Sequence, residues 1–356
     1  QWSNNNMDGN DHEHFSTNRS TSLNLSTFKF YFYVSIFYYS YNCFWFRPAF
    51  GLTNNNNNMG RPGVIASSSS TSTTLGFSYS VAGLLFPYQA GVTHKLRELN
   101  ILLPSTPLNG ASGGALAAAC AASFPVTTTD KAMASSLRIS TRCTTEGALW
   151  NLENILRDEL QTMCTKDMVN AINTRSGSVE FAWTNVDLSP KLKPRLSGKP
   201  FNSSEDLINI LATSCHIPFY SSFSPVTIAM QQQQGEEIIR EWGMDGFLSS
   251  PSTLGCQQVN DNNNGGKEGC IKTVFCTPFA LDDAILKRYP AILRSDDDDN
   301  SSQGLIIAPL LEEIPFSAKE YVSLALGYPA GPDKDQHQIL FELGMKCTTR
   351  WADNYF

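Results

Sequence analysis

The sequence predicts an α/β fold with a mostly parallel central sheet flanked by helices. Two features indicate this fold. Beyond residue 74, stretches with the alternating period of strands are separated by stretches with helical period. A glycine-rich turn at residues 110–114 also joins an extended apolar approach to a helix of small residues. The chain has 356 residues, 41% of them apolar, which is enough to bury a large core. Its net charge of −7 argues against nucleic-acid binding.

The first predicted unit is a strand, a loop and a helix. Apolar residues alternate with small ones from Leu75 to Val81, which is the period of a strand. A loop containing Gly83 follows, and then a helical pattern marked by Val92, Leu96 and Leu99. This pattern is also that of an ordinary strand-to-helix connection. In serine acyl hydrolases, however, an early loop of this kind often supplies a backbone N–H group that binds an oxyanion.

The second unit contains the most informative turn of the chain. Residues 102–108 are mostly apolar and extended, and residues 115–122 are small and strongly helical. Ser112 lies between them, with Gly110 and Gly114 two residues away on either side. This is the strand–turn–helix setting in which the G-x-S-x-G pattern indicates a nucleophile. Unpaired N–H groups at the start of the helix suit a substrate that develops negative charge on oxygen.

Further elements follow in order and complete the alternation. They are a helix marked by Leu149, Leu152, Leu156 and Leu160; a strand marked by Val179, Phe181 and Trp183; a helix over residues 205–212 capped by Ser203 or Ser204; and a strand marked by Ile271, Thr273 and Phe275. Three low-complexity runs interrupt this part of the chain, and we expect them on surface loops: residues 231–234, 262–264 and 296–299.

A candidate base lies between two glycines, at Asp245 in residues 242–247. The flanking glycines allow an unusual backbone and leave room around the carboxylate. Asp-Gly is also a common turn signal, so the aspartate alone indicates only a turn. Together with the Ser112 turn, it predicts a serine nucleophile with an aspartate as general base.

These motifs resemble the patatin-like phospholipase family. Residues 110–114 match the family's G-x-S-x-G elbow, and Asp245-Gly246 match the first two positions of its D-G-[GA] motif, with Phe247 in place of the small third residue. The family's oxyanion loop carries several glycines, of which Gly83 remains here. Residues 212–218 and 341–344 are also similar to family segments. The resemblance covers about residues 74–251 and, more loosely, the remainder of the chain.

The resemblance implies a patatin-like three-layer α/β/α sandwich and a lipid acyl hydrolase. Ser112 would be the nucleophile and Asp245 the base, with backbone N–H groups of Gly83, Leu84 and Gly113 as the oxyanion hole. This chemistry requires no metal and no cofactor. The implied partner is a lipid substrate at a membrane or lipid-droplet surface, either a phospholipid or a neutral glycerolipid. Because Gly83 is the one loop residue that takes positive φ at no cost, Gly83→Val is expected to damage turnover far more than stability.

Three alternatives remain open at this stage. The first is a Ser-His-Asp triad that uses His337, which is in the chain order of an α/β-hydrolase triad but in a segment that looks like a polar loop. The sequence favours a solvated His94 and a structural His216. The second is a catalytically weak or dead lipid-binding protein, which Phe247 and the reduced oxyanion loop favour. The third is an acyltransferase that uses Ser112 and Asp245.

Composition divides the chain into three predicted segments. Residues 1–73 form a biased leader, residues 74–258 the catalytic domain, and residues 259–356 a C-terminal extension packed on it. In the leader, residues 28–46 are rich in Phe and Tyr, and a Ser/Thr-rich stretch follows. This pattern predicts a two-part address to a plastid or another organelle and a membrane-associated protein. The alternative is a wrongly assigned gene start, which would leave a cytoplasmic or lipid-droplet protein. The nine cysteines resemble scattered buried thiols.

Overall fold

A computed structural model describes residues 74–186, 192–234, 237–259, 271–280 and 305–356. The predicted leader, residues 1–73, lies outside the described residues, as do the low-complexity runs at 262–264 and 296–299. The boundary at residues 258/259 remains a prediction. Described segments on both sides of it contribute strands to one sheet.

The described residues form one eight-stranded sheet with the strand order β5-β6-β3-β2-β1-β7-β8, and β4 also pairs with β3. Its strands are β1 (Thr74–Tyr79), β2 (Leu108–Ala111), β3 (Val179–Asn185), β4 (Lys193–Gly198), β5 (Thr227–Gln234), β6 (Glu237–Met244), β7 (Ile271–Cys276) and β8 (Ile306–Ile307).

Helices flank this sheet. They are α1 (Phe86–Glu98), α2 (Gly113–Ala122), α3 (Thr129–Arg142), α4 (Leu152–Met163), α5 (Lys166–Thr174), α6 (Ser204–Ser214), α7 (Ala318–Leu326) and α8 (Lys334–Tyr355). The side chain of Ser203 accepts a hydrogen bond from Asp206 N and so caps α6, which was one of the two predicted caps. The predicted α/β sandwich with a mostly parallel sheet is therefore present.

The parallel part of the sheet runs from β3 through its centre to the β8 edge: β1 pairs with β2 and β7, β2 pairs with β3, and β7 pairs with β8. Strands β4, β5 and β6 pair antiparallel at the other end. All four residues of β2 are buried, as expected of a strand covered on both faces. Ser112 follows the last residue of β2, so the elbow lies at the carboxyl edge of a central strand.

The core lies between the sheet and its helices. Its largest fully buried side chains include Trp183, Tyr79, Tyr88 and Phe77. Helices α1 and α8 pack against each other, and a Cβ atom on Gly91 or Gly344 would overlap the backbone of the opposite helix. Among the described helices, none is both long and apolar enough to span a membrane.

Two sequence-based expectations about local structure are wrong. Residues 231–234 were expected on a surface loop, but they end β5 and pair with β6. Strand β5 is at the edge of the sheet, where the hairpin pairing of the backbone sustains a strand without an apolar pattern. His337 was expected in a polar loop, but it is buried in the first turn of α8, because Asp333 and Gln336 form a capping box there.

Candidate active site

Ser112 occupies a strained turn at the start of α2. Its backbone has φ 55° and ψ −129°, a region that residues with a side chain rarely adopt. Such strain costs about 1–3 kcal/mol and persists only where the surroundings impose it. The side chain is buried, and it lies beside the unpaired N–H groups of the helix start. The turn therefore places a hydroxyl group in the field of the positive end of a helix.

Ser214, at the end of α6, holds this turn in place. The Ser112 N–H donates to Ser214 Oγ at 2.8 Å, and Ser214 Oγ donates in turn to Ala182 O in β3 at 2.6 Å. Ser214 is fully buried, so its hydroxyl can satisfy both groups without water. The backbone N–H of Ser112 is therefore already used. A negatively charged ligand at this turn would need other donors.

Asp245 follows β6 and caps the short helical turn Gly246–Ser249. Phe247 N–H donates to Asp245 Oδ1 at 2.8 Å. The backbone is held on both sides, because Asp245 N–H donates to His216 O at 2.9 Å and Thr184 Oγ1 donates to Asp245 O at 2.9 Å. The carboxyl group is thus fixed on a rigid turn between β3 and the end of α6.

The second carboxylate oxygen of Asp245 is the unusual atom of this site. Oδ2 is buried and has no hydrogen-bond partner among the described residues. Burial raises the pKa of Asp245 from its ordinary 3.8 to about 6, although the Phe247 N–H, the Ser112 hydroxyl and the charge of His216 all lower it. Ser112 is therefore close enough to act on the carboxyl group, but no hydrogen bond joins the two side chains. Pairs of this kind often tighten only when substrate binds.

The predicted oxyanion loop lies against the elbow. Gly83 has φ +53°, and a Cβ atom on Gly113 would be 2.7 Å from Gly83 O, so the two backbones are in direct contact. No acceptor among the described residues takes the N–H of Gly83, Leu84 or Gly113. These three groups are therefore not committed to another part of the described structure. Gly110 lies in β2, and Gly114 lies in the first turn of α2.

The far side of Gly83 is closed by α7. A Cβ atom on Gly83 would overlap the carbonyl oxygen of Ala325. This contact contradicts the expectation that Gly83→Val would spare stability. The substitution would strain a backbone with positive φ and would also push α7 away, so it must weaken the fold as well.

Cys215 is a third side chain at the site, and the sequence did not single it out as functional. It is buried, and burial raises the pKa of its thiol well above the usual range; the charge of Asp245 raises it further, and the Ser112 hydroxyl lowers it. The thiol therefore stays protonated beside the carboxylate. Ser214, Cys215 and His216 are consecutive. The sequence pointed to them only through the similarity of residues 212–218 to a segment of the patatin-like family.

The histidines that could complete a triad are occupied elsewhere. His337 Nε2 is 3.1 Å from Ser136 Oγ, and its Nδ1 is 2.8 Å from Asp333 O. Burial lowers the pKa of His337, so its ring is neutral. His94, expected to be solvated, is half-buried against the Phe341 ring. Among the described residues, the hydrogen bonds of His94 and His337 therefore go to groups other than Ser112 and Asp245.

Comparison with solved structures finds similarity to VipD from Legionella pneumophila. The two chains share 10% identity with a TM-score of 0.43, over 79% of this chain and 67% of that one. No protein-family model matches the sequence, and no match was found among the curated proteins. A likeness this distant does not extend to activity. The chemistry of the site therefore follows from its own residues.

Proposed function

We propose that this protein is a serine acyl hydrolase that cleaves carboxylic ester bonds of lipids through a Ser112–Asp245 dyad. One observation carries the proposal: a strained serine at the start of a helix lies close to a buried aspartate. That aspartate has one oxygen without a hydrogen-bond partner and a pKa of about 6. An ordinary structural aspartate would have both oxygens hydrogen-bonded. A general base needs a free oxygen near the nucleophile.

In the proposed reaction, Ser112 Oγ attacks the ester carbonyl carbon while Asp245 takes the hydroxyl proton. The carbonyl oxygen becomes an oxyanion, which the free N–H groups of Gly83, Leu84 and Gly113 would bind. The C–O bond to the leaving alcohol then breaks, and the alcohol takes the proton from Asp245. Water attacks the acyl-serine with Asp245 again as the base, releasing the fatty acid and restoring Ser112.

The pKa of Asp245 suits this role. A carboxylate with an ordinary pKa is a weak base, whereas one near 6 is stronger and still ionised at neutral pH. The resemblance of the elbow and the Asp-Gly motif to the patatin-like phospholipases supports a lipid substrate. The proposal therefore places the protein at a membrane or lipid-droplet surface, acting on phospholipid or neutral glycerolipid.

The test is hydrolysis of a p-nitrophenyl acyl ester by wild type, Ser112→Ala and Asp245→Asn. Each substitution should remove most of the turnover, and the double variant should be no worse than the single ones, because the two groups act as a unit. Ser136→Ala serves as a control, since that serine hydroxyl bonds to His337 instead. Near-normal turnover in Asp245→Asn would refute the dyad.

A second measurement defines the product. Lipid-class profiling with added lysolipid or alcohol separates hydrolysis, which yields free fatty acid, from acyl transfer to the acceptor. If wild type and Ser112→Ala bind lipid equally and neither forms a product that depends on Ser112, a lipid-binding protein is favoured instead. Phe247, buried next to Asp245 where the family has a small residue, is the feature that favours this alternative.

A further inference from the structure

An apolar cavity lies within the helical layer beside the elbow. Side chains from α1 to α6 line it, and each lining residue lies in one of these helices except Cys164, which directly follows α4. The cavity encloses about 440 Å³, part of which is open to solvent. Most of its lining consists of Leu, Ile, Ala, Met and Phe side chains. A space with such a lining suits an apolar ligand.

The lining of the cavity reaches the proposed site. Leu116 lines the cavity one turn along α2 from Ser112, to whose carbonyl oxygen its N–H donates at 3.4 Å. A helical side chain points toward the amino end of its helix, so the side chain of Leu116 points toward the elbow. Phe86, three residues after Gly83, and Leu211, in the last turn of α6, also line the cavity. Three elements of the site therefore continue into the cavity wall.

Two thiols lie at the end of the cavity that is farthest along α2 from Ser112. Cys120 and Cys164 both line this end, and they are neighbours. Burial raises the pKa of the Cys120 thiol to about 12, and burial together with the nearby Cys120 does the same for Cys164. Both thiols are therefore neutral at physiological pH and behave as small apolar groups.

The length of α2 between the elbow and these thiols gives the depth of the cavity. Cys120 is eight residues after Ser112, which corresponds to about 12 Å of helix. An extended acyl chain advances about 1.25 Å per carbon, given a C–C bond of about 1.5 Å and an angle near 111°. The depth therefore matches a chain of about ten carbons.

The charges and polar groups of the lining favour a hydrocarbon chain over a head group. Glu159 lines the cavity, and its carboxylate accepts hydrogen bonds from Arg138 Nε at 3.1 and 3.2 Å. Ser135 contributes a neutral hydroxyl that is buried without a partner among the described residues. A phosphate group would bring a second negative charge next to Glu159, whereas a hydrocarbon chain needs no polar partner.

We propose that this cavity binds the acyl chain of the substrate and limits it to about ten carbons, with Cys120 and Cys164 at its end. The inference rests on the proposed function and assigns to it a substrate class, the esters of medium-chain acids. The space is narrow, but Met163 and Met168 belong to its wall, and methionine side chains change rotamer readily as a chain enters.

The experiment compares kcat/KM for p-nitrophenyl esters with acyl chains of four to fourteen carbons. In wild type, kcat/KM should rise by up to about fourfold for each added methylene and should fall beyond about ten carbons. Cys120→Leu places a larger side chain at the end of the cavity. The ratio of kcat/KM for the decanoyl ester to that for the butanoyl ester should therefore fall by roughly tenfold or more, the effect of about two methylenes.

A second variant enlarges the cavity instead. Met163→Ala should move the optimum to a longer chain. Met133→Ala is the matched control, because Met133 is a half-buried methionine of α3 outside the lining, so its optimum should stay at that of wild type. If Cys120→Leu fails to fold, Met163→Ala decides alone. An optimum that neither variant moves relative to Met133→Ala would overturn the inference.

Binding to Ser112→Ala provides a readout that needs no turnover. In calorimetry, decan-1-ol should bind roughly tenfold or more tightly than hexan-1-ol, and adding Cys120→Leu should remove most of this difference. Equal affinities for the two alcohols would contradict the proposed cavity.

The two proposals fail in distinguishable ways. If Ser112→Ala hydrolyses the esters as fast as wild type, the proposed function is wrong, whatever the alcohols show. If Ser112→Ala is inactive but the optimum ignores both Cys120→Leu and Met163→Ala, the acyl chain lies elsewhere. In that case the dyad stands and the inference about the cavity does not.

Discussion

Replacing Asp245 by asparagine should make the protein more stable while it removes activity. The buried carboxylate has an unpartnered oxygen and a raised pKa, so the folded state opposes its ionisation. At neutral pH the charge is nevertheless present in the folded protein. An asparagine side chain at this position would keep an oxygen for the Phe247 N–H and would carry no charge, so the substitution should relieve the burial cost.

The size of the effect follows from the pKa. A rise from 3.8 to about 6, at about 1.4 kcal/mol for each tenfold change in proton affinity, amounts to about 3 kcal/mol. Because the folded pKa is raised, the folded state binds the proton more tightly between these values. The stability of wild type therefore falls as pH rises from about 4 to 6, and it stays reduced above that range. The asparagine variant should escape this loss.

The assay compares melting temperatures of wild type and Asp245→Asn at pH 8 and pH 4. At pH 8 the variant should melt higher by roughly 6 °C, and at pH 4 most of the difference should vanish, because the wild-type carboxyl group is then protonated. Asp158→Asn, which changes an exposed carboxylate, should show no such dependence. A variant that is less stable than wild type at both pH values would refute the reasoning.

Four further outcomes are expected. For wild type, kcat/KM should fall about tenfold for each pH unit below about 6, as the base becomes protonated. Leu84→Ala should cost about 2–3 kcal/mol in urea unfolding, because the side chain is buried, while kcat stays close to wild type because the N–H remains. Gly83→Val should lower both the melting temperature and kcat; a loss confined to one of them would contradict the contact with Ala325. Ser112→Gly should be about 1–2 kcal/mol more stable than Ser112→Ala, since glycine accepts φ 55° without strain, and equal unfolding midpoints would contradict the strained turn.

The parts of the fold that the sequence predicts are those with local signals. Alternation in residues 75–81 and 179–183 marks β1 and β3, since each strand carries its own apolar pattern. Strand β4 carries no such pattern, because its side chains are mostly exposed and it forms only by pairing with β3. The same holds for β5, whose glutamines obtain strand conformation from the partner strand. Pairing is a long-range property and leaves little trace in the segment itself.

The same distinction between local and long-range signals holds for the proposed site. Ser112 and Asp245 stand out in the sequence because glycines lie close to each of them. At Ser112 they accompany a strained turn, whereas around Asp245 the backbone is ordinary and the glycines allow close packing against β3. The residues that hold this region in place are not predictable from the sequence, because their contacts join distant segments. Ser214 at the end of α6 hydrogen-bonds to the Ser112 turn, and Glu153 in α4 contacts His216. The sequence places these residues far apart and gives no sign that they meet. His216, expected to be structural, is fully buried and contacts Ser224 and Glu153, and its backbone carbonyl holds the Asp245 turn.

The contact of Gly83 with Ala325 has a consequence for how the protein is made. The elbow, its serine and the neighbouring loop leave the ribosome before α7, the helix that packs against that loop. Strand β7, which pairs with β1 along its whole length, is also late. A partly synthesised chain would hold Ser112 without the helix that fixes the shape of the neighbouring loop. The geometry of this loop would then be completed only after α7 has emerged from the ribosome and packed against it.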